Sequence, residues 1–241
     1  MLRFYVVIIL SAFDIAYFVP KMASYAKKKK NKSREEKYAL AQQVIRKMSR
    51  TAKIDTEAVG VENLPCEGGY IMYANHQGKY DALAVMREHK RFCSALMDSE
   101  RAKMFIAKQF MDLTEGVRIE KGHPRQQIRA LTEIADRVRD GGDVFLIFPE
   151  GGYGKKVDNT TEKFNYGCFI SAYKAKCPVV PTVIIDSYKA FGVNSLKRTT
   201  VKVKYLPPIM YDEYKDMKTP ELCAEVQRRI DAEIAKLPKK I

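Results

Sequence analysis

The chain has 241 residues, of which 46% are hydrophobic, so it is long enough to bury a full core and too apolar for a disordered protein. Lysine and arginine number 43 against 29 acidic residues, a formal net charge of +14. This excess predicts an anionic partner, which could be nucleic acid, a phosphate-bearing substrate or an anionic membrane. The five cysteines have no paired CxxC spacing, which argues against a disulfide framework or a closed zinc site.

An apolar run opens the chain. Residues 4–19 are interrupted only by Ser11 and Asp14, and Pro20 ends the run. A bilayer crossing needs roughly 20 residues, so the run is short for a span. The lysine run 27–30 follows the apolar stretch, which favours a retained anchor, spanning or lying in one leaflet, over a cleaved signal peptide. We therefore expect the protein at the cell membrane or inner membrane with the rest of the chain on the cytoplasmic side, although an unpaired Asp14 carboxylate would be costly in hydrocarbon.

A basic amphipathic helix is predicted next. Ser33 and Glu36 have the spacing of a capping box, in which each side chain bonds the backbone N–H of the other. Apolar residues then recur at helical spacing between basic ones: Tyr38, Ala41, Val44, Ile45 and Met48. The helix could lie on anionic headgroups or pack on the folded domain with its basic face in water. We expect residues 1–52 to form the anchor and this helix, and residues 53–241 to form the main domain.

From about Ile54 onward, strand and helix patterns alternate. The predicted strands are Tyr70–Ala74, Phe92–Met97, Val117–Ile119, Val144–Phe148, Val179–Ile185 and Val201–Leu206. The predicted helices are Ala82–Glu88, Glu100–Phe110, Gln126–Arg139, Phe164–Lys174 and Pro220–Lys236. This alternation predicts an α/β fold, with a single mixed sheet flanked by helices. Within it, Val201–Lys204 alternates apolar and polar residues and is predicted to be an edge strand with one wet face.

The first of these strands leads into a histidine and an aspartate. Asn75 and His76 follow the strand directly, and Asp81 comes five positions after the histidine, at the start of a predicted helix. Asp81 could accept the Nδ1 proton of His76 and leave Nε2 free to act as a base. A serine nucleophile is not needed when the attacking hydroxyl belongs to the substrate. The alternative is that His76 caps the helix or lies in the core.

A second strand exit carries a carboxylate into a glycine-rich loop. Phe148 and Pro149 precede Glu150, Gly151 and Gly152. Glycines let backbone N–H groups approach an anion closely, and lysines 155 and 156 add positive charge. A carboxylate repels phosphate, so Glu150 is expected to bind a substrate hydroxyl or to orient a neighbouring group. The alternative is an ordinary turn after a core strand.

Together the two motifs resemble those of the glycerolipid acyltransferase family, most closely its lysophosphatidic acid acyltransferases. The NHxxxxD block of that family corresponds to Asn75–Asp81, and its FPEG block, some seventy residues later, corresponds to Phe148–Gly151. A middle block corresponds to Gly116–Lys121. The similarity covers roughly residues 55–210. It implies the fold of the glycerol-3-phosphate acyltransferases, with residues 53–241 as the catalytic domain.

The resemblance also implies a reaction. A fatty acyl group would pass from an acyl thioester, on coenzyme A or acyl carrier protein, to the sn-2 hydroxyl of 1-acylglycerol-3-phosphate, giving phosphatidic acid for phospholipid synthesis. His76 would be the base and Asp81 would orient it, while backbone N–H groups near Gly151 would stabilise the oxyanion. The substrate-binding residues would be Asn75, Arg118, Lys121, Glu150, Gly151 and Gly152, with Lys121 and Arg118 on the phosphate. No metal or cofactor is implied, and the expected partners are the lysophospholipid, the thioester and an anionic membrane surface, not nucleic acid.

Two positions depart from the family pattern. Lys121 replaces the usual arginine, so it meets a phosphate as a point charge without the bidentate fork. Gly152-Tyr153-Gly154 replaces the usual Thr-Arg-Ser, and the basic residues that could compensate are lysines 155 and 156, Arg118 and Arg125. Another lysophospholipid, glycerol-3-phosphate or an aminolipid stays open as the acceptor. The serines lack a G-x-S-x-G setting, which disfavours a serine hydrolase. A basic protein that binds anionic lipid or nucleic acid is the non-enzyme alternative.

Overall fold

A computed structural model describes residues 2–27, 31–154 and 157–238. Within these ranges the strands are β1 (Ile54–Val59), β2 (Tyr70–Ala74), β3 (Cys93–Asp98), β4 (Val117–Ile119), β5 (Val144–Ile147), β6 (Val179–Ile185) and β7 (Thr199–Tyr205). They form one sheet in the order β1-β7-β6-β2-β5-β3-β4. Strands β6, β2, β5, β3 and β4 are mutually parallel, whereas β7 is antiparallel to β6 and parallel to β1. The predicted single mixed sheet is confirmed.

Helices cover both faces of the sheet. Those described are α1 (Leu2–Leu10), α2 (Ala12–Ala26), α3 (Arg34–Thr51), α4 (Asp81–Glu88), α5 (Ser99–Ala102), α6 (Ala107–Leu113), α7 (Pro124–Gly141), α8 (Ile170–Ala175), α9 (Tyr188–Phe191), α10 (Tyr211–Tyr214) and α11 (Thr219–Ile234). Strands β2, β5 and β6 are buried along their whole length, as expected for parallel strands covered on both faces. Along β2, Met72 and Ala74 pack into one core cluster while Ile71 and Tyr73 pack into the other. The continuous apolar runs in the sequence are explained by these two cores.

The prediction of an edge strand at Val201–Lys204 is wrong. The alternation itself is present, with Val201 and Val203 buried and Lys202 exposed. However, β1 pairs with β7 along its whole length and takes the edge position instead. Strand β1 was not predicted from the sequence. Its residues, IDTEAV, do not form an apolar run, and only Ile54 among them is buried.

Two predicted helices differ in detail. The stretch Glu100–Phe110 is split into α5 and α6, and Ile106 between them has a φ of 72°, a left-handed conformation that a helix cannot continue through. The stretch Phe164–Lys174 begins instead as a 3₁₀ turn at Tyr166–Phe169 before α8.

The N-terminal apolar run forms two helices rather than one. Helices α1 and α2 meet at an angle of 78°, and no single helix in the described ranges has the length and apolar character to cross a membrane, although the bent pair taken together does. Asp14 is the acidic residue that interrupts the apolar run. Its carboxylate lies 2.7 Å from the ammonium of Lys47 on α3 and forms an ion pair with it. Arg3 is buried and donates to the carbonyls of Lys189 and Ala190 at 3.2 Å. The predicted lysine run lies, apart from Lys27, outside the described residues.

Helix α3 packs on the domain. Its predicted capping box is present, with the Ser33 hydroxyl accepting from the Glu36 N–H at 3.2 Å. Its apolar face joins the same core cluster as the sheet, and Arg34 near its start bonds the buried Asp143 carboxylate at 2.8 Å. The interpretation of a helix packed on the domain is therefore confirmed. The core also runs across the predicted boundary between residues 52 and 53, and the division of the chain there stays a prediction.

Candidate active site

The site lies where the parallel strands end. Because β6, β2, β5, β3 and β4 run in the same direction, their carboxyl ends meet at one edge of the sheet, where ligands of such sheets bind. The exit of β2 carries His76, the exit of β5 carries Glu150, and the neighbouring exits of β3 and β4 lead to Arg101 and Lys121. Residues that are distant in sequence are therefore brought to one place by the strand order.

His76 and Asp81 form the predicted pair. The His76 Nδ1 lies 2.6 Å from the Asp81 Oδ2. Asp81 is the first residue of α4 and is fully buried, and the same Oδ2 accepts the backbone N–H groups of Gln77 at 2.5 Å and Gly78 at 2.9 Å. With Nδ1–H donating to the carboxylate, the Nε2 of the imidazole is left as the acceptor nitrogen. The loop thus fixes both the position and the tautomer of the histidine.

Two aromatic rings hold the imidazole from either side. Phe148 stacks on it with ring centroids 4.2 Å apart, and Tyr153 meets it edge-on at 4.6 Å. The His76 side chain is 15% exposed, and no described residue hydrogen-bonds its Nε2. Because α4 is capped by Tyr80 and the ring keeps an exposed edge, His76 is neither a helix cap nor a core residue. Among the described residues, the nitrogen suited to act as a base is therefore not engaged in a hydrogen bond.

Glu150 contacts the histidine loop directly. Its Oε1 accepts the backbone N–H of His76 at 2.9 Å, which joins the exit of β5 to the exit of β2. This agrees with the expectation that Glu150 orients a neighbouring group. Its predicted contact with the substrate stays a prediction.

The N–H of Gly151 itself is used within the turn, and the oxyanion contact predicted for backbone N–H groups near Gly151 stays a prediction. That N–H donates to the Phe148 carbonyl at 3.0 Å and closes the turn after β5. Gly151 has a φ of 69°, a left-handed conformation that glycine adopts without steric cost. The glycine is therefore needed for the turn itself, and its carbonyl accepts from the Lys121 Nζ at 2.5 Å.

Asn75 has a structural contact where a substrate contact was predicted. Its side chain is fully buried, donating to the Ile184 carbonyl at 2.9 Å and accepting the Ile184 N–H at 2.7 Å. Gln77, which the sequence did not single out, also donates to the Ile184 carbonyl at 3.0 Å and accepts the Ser187 N–H at 2.9 Å. Both amides tie the histidine loop to the end of β6, and in this conformation Asn75 offers no surface to a substrate.

The two residues predicted to bind the phosphate lie in different surroundings. Lys121 lies beside Gly152, whereas the Arg118 guanidinium pairs with Asp112, and the contact of both with the phosphate stays a prediction. Arg101 takes the place beside Gly152, with its guanidinium carbon 4.8 Å from the centre of the Tyr153 ring. Sequence reasoning missed Arg101, although its position just after a parallel strand was a usable signal. Lysines 155 and 156 lie outside the described residues.

Three of the cysteines, Cys93, Cys168 and Cys177, are unsuited to act as nucleophiles. Burial raises the pKa of Cys93 and Cys168 well above the usual range and raises the pKa of Cys177 to about 12. A thiol is a poor nucleophile unless it ionises, so these cysteines are packing residues. Within the described ranges, no cluster of three or more histidine, cysteine or acidic side chains is placed to hold a metal ion.

Comparisons with known proteins agree with this geometry. The family model described as Acyltransferase matches residues 55–185, more than half of the chain. The 1-acyl-sn-glycerol-3-phosphate acyltransferase of Saccharomyces cerevisiae is 26% identical over 178 residues, 72% of this chain and 58% of the yeast protein, so the chain spans little more than half of that relative. The enzyme of the same name from Escherichia coli K12 is 23% identical over 174 residues, covering 72% of this chain and 70% of its own length.

A solved structure shows the same fold. The crystal structure of the 1-acyl-sn-glycerophosphate (LPA) acyltransferase PlsC from Thermotoga maritima superposes with a TM-score of 0.75 at 19% identity, covering 100% of this chain and 95% of that one. The family match spans both the His76–Asp81 loop and the Glu150 turn, which the sheet brings together at one edge. The chain therefore belongs to the acyltransferase family.

Proposed function

We propose that the protein transfers a fatty acyl group from an acyl thioester to the sn-2 hydroxyl of 1-acylglycerol-3-phosphate, giving phosphatidic acid for phospholipid synthesis. The observation that carries this proposal is the His76–Asp81 pair, with Nδ1 bonded to the carboxylate at 2.6 Å and the imidazole 15% exposed. Relatives named as 1-acyl-sn-glycerol-3-phosphate acyltransferases support the choice of acceptor. The donor is a thioester of coenzyme A or of acyl carrier protein.

The pair suits a direct transfer. The acceptor hydroxyl gives its proton to the His76 Nε2 while its oxygen attacks the thioester carbonyl carbon. The resulting tetrahedral intermediate collapses, the carbon–sulfur bond breaks, and the leaving thiolate takes the proton back from the imidazolium. Asp81 stabilises the imidazolium formed between these steps, as the aspartate does in a hydrolase triad. The nucleophile is the substrate itself, so an acyl-enzyme does not form.

The acceptor can be tested by direct comparison. Purified protein would receive labelled acyl-coenzyme A or acyl carrier protein together with lysophosphatidic acid, another lysophospholipid, glycerol-3-phosphate or an aminolipid. We expect phosphatidic acid, identified by mass, to be the dominant product. Dominance of another acceptor would replace the proposed substrate, and the absence of transfer from both donors would overturn the proposed function. Nucleic acid is not among the proposed partners, because the sequence carries no helix-turn-helix, zinc-finger or aromatic RNA-binding motif.

We also propose that α1 and α2 lie in one leaflet of the cell membrane or inner membrane, with the domain on the cytoplasmic side. Support comes from the apolar side chains that this helix pair exposes, among them Ile9 at 72% and Phe13 at 93%. Moving a lipid chain from the bilayer into water costs about 0.8 kcal/mol of free energy for each CH₂ group. A site at the membrane face avoids this transfer. The first helix also packs beside the histidine loop, since Phe4 contacts Lys79 and Phe191.

Vesicle sedimentation tests this attachment. The full chain should sediment with vesicles that contain phosphatidylglycerol, and Phe13→Asp should reduce the bound fraction severalfold. Ile128→Asp is the matched control, because Ile128 is also exposed, at 53%, but lies on α7. Equal binding by the wild type and Phe13→Asp, or equal losses in both variants, would contradict a membrane contact through α1 and α2.

A further inference from the structure

Two cationic side chains converge on Gly152. The Lys121 Nζ and the Arg101 Nη2 lie 3.8 and 3.9 Å from the point where a Cβ atom on Gly152 would stand. They come from different segments, Arg101 from α5 after β3 and Lys121 from the turn after β4. Two like charges brought to one point repel each other, and an anion bound between them removes that repulsion. The glycine leaves open the space that such an anion would need.

Neither cation is neutralised by its neighbours. In the part of the chain that the structure describes, no ion pair involves Arg101 or Lys121, whereas the adjacent Lys103 pairs with Glu100 at 2.7 Å and Arg118 pairs with Asp112. Lys121 donates to the uncharged carbonyl of Gly151. Arg101 rests on the face of the Tyr153 ring, which orients the guanidinium and leaves its edge available. Both retain their charge for a ligand.

The pair lies close to the reacting atoms. The Arg101 guanidinium carbon is 4.8 Å from the centre of the Tyr153 ring, and the centre of that ring is 4.6 Å from that of the His76 imidazole. One aromatic ring therefore separates the cations from the base. In 1-acylglycerol-3-phosphate, the phosphate and the sn-2 hydroxyl are carried by adjacent carbons, so an acceptor with its phosphate at the cations would present its hydroxyl towards His76.

We propose that Arg101 joins Lys121, whose role at the phosphate the family resemblance already implies, in the subsite for the phosphomonoester of the acceptor, with Gly152 providing room for it. The inference rests on the proposed function and names the residues that recognise its substrate. Arg101 supplies a planar fork that can meet two phosphate oxygens at once, and Lys121 adds a point charge. The pair favours a phosphomonoester, which carries more charge than the phosphodiester of other lysophospholipids. The phosphates of coenzyme A could also bind to this pair of cations. The test therefore measures the KM of the acceptor and the KM of the donor separately.

Steady-state kinetics with varied acceptor and varied donor provide the test. In Arg101→Met and Lys121→Met, we expect the acceptor KM to rise roughly ten- to a hundredfold, with kcat and the donor KM changed by less than about twofold. Arg101→Lys should recover part of the loss, because it restores the charge without the fork. Lys103→Met is the matched control and should behave as the wild type. The preference for lysophosphatidic acid over lysophosphatidylglycerol, measured as a ratio of kcat/KM, should fall in Arg101→Met but not in the control.

The outcomes separate the subsite from the proposed function. An unchanged acceptor KM in Arg101→Met, or a rise in the donor KM alone, would overturn the subsite while the function stands. Calorimetric titration with glycerol-3-phosphate provides a readout that needs no turnover. In one outcome, the wild type binds glycerol-3-phosphate, with binding lost in Arg101→Met and kept in Lys103→Met, and yet transfers no acyl group. That result would overturn the proposed function and support the phosphate subsite. Equal thermal unfolding of the variants establishes that the losses are local.

Discussion

The histidine end and the cation end of the site are built in opposite ways. At the histidine end, His76 and Asp81 are five positions apart in one loop, and the carboxylate is fully buried and bonded by three donors. At the cation end, Arg101, Lys121 and Gly152 come from three separate strand exits, and both cations are exposed. One end is a rigid local unit, and the other is an assembly of distant side chains.

The difference follows from what each end must do. A general base has to be held within hydrogen-bond reach of the proton it takes, so its loop is fixed by many short contacts. Attraction between a cation and a phosphate falls off slowly with distance, so it can be supplied from several positions around the ligand. Changes at the histidine end should therefore lower kcat, and changes at the cation end should raise the acceptor KM.

The largest expected effect is that of Asp81→Asn. An amide oxygen in the place of Oδ2 can still accept the backbone N–H groups and Nδ1–H, but the neutral amide no longer stabilises the imidazolium that forms when His76 takes the proton. We expect kcat to fall by roughly 10³–10⁴-fold, the size seen when a triad aspartate is replaced in this way, with little change in the acceptor KM. Asp112→Asn, which removes a carboxylate paired with Arg118 outside the histidine loop, is the control. A kcat for Asp81→Asn within tenfold of the control would contradict the assignment of kcat to the histidine end of the site.

His89 provides a contrast to His76, because its ring nitrogens bond the Tyr70 hydroxyl and the Arg91 carbonyl rather than a carboxylate. It is buried, bonded to the Tyr70 hydroxyl at 2.6 Å, and burial lowers its pKa from 6.5 to about 4. Between pH 6.5 and about 4, His89 is protonated in the unfolded chain but stays neutral in the folded chain. Lowering the pH through this range therefore favours the unfolded chain, and the free energy of unfolding should fall by about 3 kcal/mol. Urea unfolding of the wild type and His89→Gln across this range would measure it. An identical pH dependence in both proteins would contradict the assignment.

Glu150→Ala should have a smaller effect on turnover. Removing the acceptor of the His76 N–H loosens the loop, and we expect kcat to fall roughly tenfold. Glu150→Gln keeps an oxygen that can accept this bond and should retain most of the activity. A rise in the acceptor KM that is equal in both variants, with kcat unchanged, would show that Glu150 binds the acceptor instead of positioning the histidine.

Arg118→Met should have the smallest effect. Its guanidinium is paired with Asp112, so the acceptor KM should stay within about twofold of the wild type. A tenfold rise would show that Arg118 leaves Asp112 and meets the substrate, and the cation end would then need three members. The measurement uses the same acceptor titration as the Arg101 variants.

The sequence predicted the parts of the fold that depend on local pattern. The buried strands β2, β5 and β6 are continuous apolar runs, and the capping box of α3 is a fixed spacing, so both were identifiable. Strand β1 was missed because pairing with β7 places it, rather than its own apolar content. The break at Ile106 was missed because a left-handed isoleucine has no sequence signal.

The same limit applies to the site. The His76–Asp81 pair was identifiable because both residues lie in one loop, which fixes their distance whatever the sheet does. Arg101 has only the weaker signal of its position just after a strand, because its place beside Gly152 depends on β3 lying next to β5. Asn75 was assigned to the substrate because it adjoins His76 in sequence, whereas its burial and its two bonds to Ile184 follow from the neighbouring strand. Strand order is a tertiary property that no local pattern contains.

Single-turnover acyl transfer by His76→Ala is the most direct measurement of the central claim. With enzyme in excess over a labelled acyl thioester and lysophosphatidic acid saturating, we expect the rate of phosphatidic acid formation to fall by at least roughly 10²–10⁴-fold, while thermal unfolding stays close to that of the wild type. A folded His76→Ala protein that forms phosphatidic acid at the wild-type rate would contradict it.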